Sequence, residues 1–153
     1  GAAAPTTALI GDVIPLRMLG ATSAAGAGAL RDIGNGEPLY LVITTDTEII
    51  PGGSAGTTNF KLVSDAQAAI ATAGSATVHW QSKEFVTDDA AANSTELNVG
   101  GVIACIALPM EGAVYEDYLG ILTTRTTTAV TAGAINAFLT HDPQRYKAYA
   151  DGI

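Results

Sequence analysis

The stretch that decides the fold is Leu39-Tyr-Leu-Val-Ile-Thr-Thr-Asp-Thr47. Within it, Leu39, Leu41 and Ile43 share one face of an extended strand, and Tyr40 and Val42 share the other, because successive side chains of a strand point to opposite faces. Apolar residues on both faces indicate a strand that is covered on both sides at its start. The polar residues that follow predict its emergence into solvent.

Further short strands are predicted on both sides of this stretch. Apolar and β-branched residues bounded by turn residues place them at 9–19, 57–63, 77–87 (one bent strand or two), 97–108, 114–124 and 135–140. The Pro-Gly-Gly-Ser-Ala-Gly segment at 51–56 favours a turn, after which 57–63 follows as the partner of the first strand.

Little helix is expected. The segment Ser64-Asp-Ala-Gln67 matches a capping box, and 66–73 is the only good helical window, but Gly74 ends it after two turns at most. A single turn or a compact loop is therefore expected there. About eight short strands without helical windows of about 10–15 residues between them predict an all-β fold, a jelly-roll β-sandwich.

The core is expected to consist of the apolar residues at alternating positions of the best strands. These are Leu39, Leu41, Ile43, Val102, Ile106, Leu108, Leu119, Ile121, Ile135 and Leu139.

Composition narrows the function classes. Charged residues make up 14% of the 153 residues, against about 25% in an ordinary soluble domain. The net charge is −8 and the seven basic residues are scattered, whereas nucleic-acid binding needs clustered Lys and Arg. No apolar run approaches the roughly 18 residues of a membrane span, and no signal-peptide pattern is present, so a soluble protein made in a cytoplasm is expected. Nucleic acid and membrane are thus not expected partners.

Residues that could carry chemistry are few. The two histidines, His79 and His141, have no second His or Cys at metal-ligand spacing, and Cys105 is a lone cysteine within an apolar run. No serine occupies a Gly-x-Ser-x-Gly elbow. We therefore expect no catalytic, cofactor or metal site, and no enzyme activity.

Two separated blocks carry a family resemblance. The first is Arg31-Asp-Ile-Gly-Asn-Gly-Glu-Pro-Leu-Tyr-Leu-Val-Ile43, and the second is Thr131-Ala-Gly-Ala-Ile-Asn-Ala-Phe-Leu-Thr-His-Asp-Pro-Gln-Arg145. Together, in this order in a short Thr/Ala/Gly-rich chain, they resemble the jelly-roll capsid cement (decoration) proteins of tailed double-stranded-DNA bacteriophages, of the Bordetella-phage type. The likeness extends over roughly 13–152 in layout, whereas 64–93 and 1–7 show no matching pattern.

The resemblance implies a structural virion protein. It would bind the outer surface of the phage head, with the major capsid protein as its partner, stabilise contacts between capsomers, and self-associate as a dimer or trimer. The alternative is a carbohydrate- or receptor-binding β-sandwich module of a phage particle, for which Trp80 and the tyrosines of the C-terminal tail are the candidate aromatic residues.

Three regions are expected along the chain: an N-terminal arm at 1–8, a jelly-roll domain at 9–141 and a C-terminal tail at 142–153. We expect neighbouring subunits to order the arm and the tail, although the tail tyrosines could instead fold back onto their own sandwich. Arg31 could form a structural pair with Asp32 or Glu37, or contact a partner. The candidate interface residues are Arg31, Glu37, Arg145, Tyr146 and Tyr149.

Overall fold

The computed structural model describes residues 6–16, 33, 38–88, 92–109, 114–126 and 130–146. These residues form eight strands and two 3-10 turns, the turns being Thr95–Leu97 and Pro143–Tyr146. The strands are β1 (Thr6–Pro15), β2 (Tyr40–Pro51), β3 (Gly56–Asp65), β4 (Thr77–Gln81), β5 (Phe85–Thr87), β6 (Val102–Ala107), β7 (Tyr118–Arg125) and β8 (Val130–Thr140).

The strands form two antiparallel sheets. The first sheet has the order β1-β7-β3, with β4 and β5 both on the far side of β3, and the second has the order β6-β2-β8. Pairs nest inside one another along the chain: β1 pairs with β7, β2 with β6 and β3 with β5. Such nesting across two sheets is the wrapping of a jelly roll. The predicted all-β sandwich is confirmed.

The expected pairing of β2 with β3 is wrong. β3 pairs with β4, β5 and β7 in the first sheet, whereas β2 lies in the second sheet between β6 and β8. The turn-rich segment at 52–55 therefore carries the chain from one sheet to the other. Both edges of β2 are already paired, and its residues Val42 and Ile43 are completely buried. Local turn chemistry predicts the reversal of the chain but not the strand that it meets.

The boundary of the N-terminal arm also needs correction. Thr6, Thr7 and Ala8 were expected to belong to the arm, but they begin β1 and pair with the end of β7. The hydroxyls of Thr7 and Thr124 also form a hydrogen bond at 3.0 Å. Backbone and hydroxyl hydrogen bonds to a neighbouring strand stabilise residues whose side chains are too small to pack a core. Residues 1–5 lie outside the described part of the chain.

The helical window after β3 is a compact loop, as expected. The Asp65 carboxylate caps it by accepting hydrogen bonds from the backbone N–H groups of Gln67 (3.2 Å) and Ala71 (2.9 Å). The loop thereby places Ile70 over Val63 and a neighbouring leucine of β7, forming a small second apolar cluster on the outer face of the first sheet.

The main core lies between the two sheets. Of the ten predicted core residues, five are buried in this core and four pack against it while partly exposed. The buried residues are Leu41, Ile43, Leu108, Leu119 and Ile121. The partly exposed residues are Leu39, Ile106, Ile135 and Leu139.

The remaining predicted core residue, Val102, is half-buried and lies outside this cluster, whereas Ile103 and Ala104 belong to it. The register of β6 against β2 shifts between Ile43 and Thr44, and Val102 stands opposite Thr44. A shift of register changes which side chains point inward, so simple alternation failed at this end of β6.

Candidate interaction surface

The five predicted interface residues lie at the margins of the described chain. Arg31, Glu37 and Tyr149 fall outside it. Arg145 and Tyr146 belong to the 3-10 turn that follows β8 and lies close to β2, and only the course of their backbone is described. Their role at an interface stays a prediction.

One side of the sandwich, between β5 and β6, is closed by the chain's own segment 92–101. Ser94 makes two hydrogen bonds to Val86 of β5: its N–H donates to the Val86 carbonyl, and its hydroxyl oxygen accepts from the Val86 N–H, both at 2.9 Å. The N–H of Thr45 in β2 donates to the other end of this segment at 2.8 Å. Leu97 of the segment is completely buried in the main core. The segment therefore seals the core on this side.

The opposite side, between β1 and β8, is an open groove. We define the open groove by residues 8 and 10–14 of β1 and residues 130–139 of β8. It consists of two adjoining cavities of about 780 and 290 Å³, and both are bounded by Ile10 and Ile135. Among the described residues, no strand pairs with the outer edge of β1 or of β8.

The floor of the open groove is the apolar core itself. Leu62, Leu119 and Ile121 lie beneath the larger cavity, and Phe60 and Ile49 lie beneath the smaller one. Each of these five residues also belongs to the main core cluster. The core is therefore accessible from this side of the sandwich, because segment 92–101 has no counterpart here among the residues that the structure describes.

The β8 edge is long and carries no charge. Its 11 residues include no charged side chain and no proline. Six of them are exposed, and all six are small or polar: Thr131, Ala132, Gly133, Ala134, Asn136 and Ala137. Proteins usually blunt an exposed edge strand with charges, proline or a bulge, because its backbone groups can pair with another chain. The β8 residues carry neither charge nor proline. The register of β8 against β2 shifts at three places between Val130 and Ile135 and is regular from Ile135 to Thr140. The absence of charge and proline suits this edge to pairing.

The β1 edge is protected, in contrast. Its register against β7 shifts between Ile10 and Ile14, and Gly11 within the irregularity has φ +66°. Asp12 is exposed in the same irregularity, and Pro15 ends the strand. A bulge, a charge and a proline each hinder the addition of a further strand.

Two charged side chains mark opposite parts of the open groove. Exposed Asp12 lines the larger cavity, and half-buried Arg125 lines the smaller one. Within the described chain, no carboxylate lies at ion-pairing distance from Arg125. The groove thus has an apolar floor, with an acidic group at one part of the rim and a guanidinium at the other.

A Ser–His contact at the end of β3 is structural. The Ser64 hydroxyl lies 2.7 Å from His79 Nε2, and its oxygen also accepts the backbone N–H of Glu116 at 3.1 Å. Because Ser64 is completely buried, no substrate can reach its hydroxyl. The His79 ring stacks on Tyr115 at 4.0 Å between ring centroids. These contacts join β3, β4 and the segment that leads into β7.

Burial shifts the pKa values of two members of this cluster, His79 and Tyr115. It lowers the pKa of His79, and the Glu116 carboxylate opposes that shift without reversing it. In the neutral tautomer that leaves Nε2 without a hydrogen, His79 accepts a hydrogen bond from the Ser64 hydroxyl. Burial also raises the pKa of Tyr115, whose hydroxyl donates to the Pro109 carbonyl at 2.8 Å.

Few other side chains suggest a site for chemistry or for sugar binding. In the described ranges, no three metal-ligating side chains come together. Cys105 is a half-buried free thiol. Trp80 is half-buried and packs against the main core, so its ring is not a freely exposed platform for a sugar. The described helical turns include no segment long and apolar enough to cross a membrane.

Sequence reasoning missed the open groove. The only signal that could have pointed to it is the run of uncharged residues at 130–140 in a chain of net charge −8. Predicting the groove would also have required knowing that β1 and β8 are the edges of different sheets on the same side of the sandwich.

Comparison with known proteins assigns the chain to a family. A search of the curated proteins found no match, and neither did a search of the solved structures. The family model Bbp16 matches residues 2–139, which covers both sheets except for the last residue of β8. The chain therefore belongs to the Bbp16 family, a Bordetella phage protein family.

Proposed function

We propose that this chain is a capsid decoration protein that binds the outer surface of the phage head. The observation that carries the proposal is membership of a phage protein family by a chain that folds as a β-sandwich. The resemblance of 31–43 and 131–145 to capsid cement proteins supports it. The second block contains most of β8, a long edge strand without charged residues, and an edge strand of this kind is suited to pairing with another chain.

The partner in this proposal is the major capsid protein, at junctions between capsomers. A protein that binds only the assembled shell stabilises it by RT ln(1 + [L]/Kd) for each site, and the effect is multiplied over many copies. Self-association as a dimer or trimer would let one unit bridge capsomers related by a symmetry axis. Decoration of this kind requires surfaces rather than a catalytic pocket.

The charge of the chain supports a position outside the shell. A net charge of −8 disfavours contact with packaged DNA, because phosphates and carboxylates repel each other. The low charged fraction, 14%, also leaves much uncharged surface for burial against other subunits.

Co-sedimentation tests the proposal. Purified protein is mixed with heads of the phage that encodes it, after native decoration has been removed, and pelleted material is quantified per capsomer. We expect saturable binding at a fixed stoichiometry, together with a higher melting temperature of the heads. Two outcomes would refute a role in stabilising the assembled shell. In one, the protein binds isolated, unassembled capsid protein as strongly as it binds heads; in the other, it binds neither.

A further inference from the structure

We propose that the open groove receives one extended strand of the major capsid protein, which pairs with the β8 edge and completes the sandwich. This inference rests on the proposed decoration function and adds the element and the kind of contact through which it would act.

Among the residues that the structure describes, the groove has the shape that one further strand would fill. On the sealed side, segment 92–101 covers the core and pairs with β5 through Ser94. On the open side, two edge strands flank a cleft whose floor is core side chains. An extended segment placed there would satisfy the backbone of an edge while alternate side chains point onto the floor.

The edge that receives the strand is β8. Residues 131–137 span about 23 Å at roughly 3.3 Å per residue, which accommodates a strand of ordinary length. Ala137 shares a face of β8 with Ile135 and Leu139, which pack against the core, yet Ala137 itself is exposed and lines the larger cavity. A small residue here leaves room for a larger apolar side chain of the incoming strand. The exposed charge and the terminal proline of β1, neither of which occurs in β8, make β1 the wall of the site rather than its pairing edge.

The charged and uncharged side chains around the groove restrict which residues the incoming strand can carry. Along β8 it must be apolar or neutral, since a charged group would be taken out of water without a partner. Near Arg125 an acidic side chain fits, and near Asp12 a basic or polar one fits. The chain's own first residues, Gly-Ala-Ala-Ala-Pro at 1–5, are too small to fill about 780 Å³. A second copy could offer the edge of its own β8, but the exposed residues of that strand are all small or polar and would not fill the cavity, so a strand of a different protein is favoured.

Hydrogen exchange of the wild-type protein gives the most direct test. Amide exchange is measured by mass spectrometry for the free protein and for the protein bound to heads. We expect binding to slow exchange in peptides covering 131–137 and to leave those covering β6, the other edge of the same sheet, unchanged. Protection that spares 131–137 would overturn the inference while leaving the decoration role intact.

A matched pair of variants gives the second test. Ala137→Asp puts a charge in the groove, and Ala107→Asp puts the same charge on the exposed end of β6, which pairs with the same strand β2. We expect Ala137→Asp to weaken binding to heads by at least about tenfold, because the charge would be buried unpaired, and Ala107→Asp to bind like wild type. Equal binding by both variants would overturn the inference. If Ala137→Asp does not fold, Arg125→Gln replaces it, with weaker binding again the expected result and wild-type binding the contrary one.

The remaining outcomes identify other occupants. If the free protein is an oligomer in which 131–137 is already protected, and Ala137→Asp dissociates it, the groove holds a second copy and the proposal is wrong. If the wild-type protein does not bind heads at all, the decoration function fails, and this inference fails with it.

Discussion

Replacing Leu41 with alanine should destabilise the domain by roughly 3 kcal/mol. Leu41 is 2% exposed and stands in β2 between Ile106 of β6 and Leu139 of β8, over the main core. The substitution removes three carbon groups, worth about 2.4 kcal/mol of transfer free energy at about 0.8 kcal/mol each. The cavity that remains adds to this cost, and Leu→Ala changes in cores range from about 2 to 5 kcal/mol. Because paired strands hold Leu41 on both sides, the site can relax little.

Thermal and urea denaturation measure the effect. For a chain of this length, about 3 kcal/mol corresponds to a fall in melting temperature of roughly 6–12 °C. The urea m-value should stay the same, since the surface exposed on unfolding hardly changes. Val99→Ala serves as the control, because Val99 is 70% exposed and should change stability by less than about 0.5 kcal/mol. If the Leu41→Ala and Val99→Ala proteins unfold at the same urea concentration, Leu41 does not occupy the core as described.

Three further predictions concern the rest of the chain. Burial lowers the pKa of His79, so as the pH falls below about 6.5 this histidine is protonated in the unfolded chain before it is protonated in the folded one, and stability is lost toward acid pH. The melting temperature of His79→Phe should therefore depend less on pH between 7 and 5 than that of the wild type. Equal slopes of melting temperature against pH would contradict this. Asp65→Ala should lower the free energy of unfolding by about 1–3 kcal/mol, because the N–H groups at 67 and 71 lose their carboxylate acceptor. Hydrogen exchange of those two amides, measured by NMR, should accelerate, and unchanged exchange would refute the capping role. Deleting 144–153 should leave the melting temperature of the isolated domain nearly unchanged while weakening its binding to heads; a truncation that unfolds the domain but spares binding would make the tail an intramolecular clasp.

Local patterns in the sequence were enough for the existence of the strands and for most of the core. They failed for some strand bounds: 97–101, expected to begin a strand, form the end of a 3-10 turn and a further turn before β6. The alternation in 39–43 places Leu41 and Ile43 in the core, because a strand has a period of two that is independent of its partners. The short helical window after β3 was correctly expected to form a compact loop, since Gly74 limits its length and Asp65 caps the N–H groups within a few residues. The phage family was also readable from two short blocks of sequence.

The partners of the strands were decided only by the tertiary structure. The turn at 51–56 predicts a reversal, but β3 joins the sheet of β7, whose paired residues lie from 53 positions (Asp65 to Tyr118) to 67 positions (Thr58 to Arg125) away in sequence. Thr7 similarly finds Thr124 across 117 positions, which converts part of an expected arm into strand. Such pairings depend on the burial of both sheets at once, and no local pattern encodes them. The open groove has the same origin: the sequence determines that 130–140 is an uncharged strand, but only the packing of two sheets leaves it as an edge beside β1, over an accessible core.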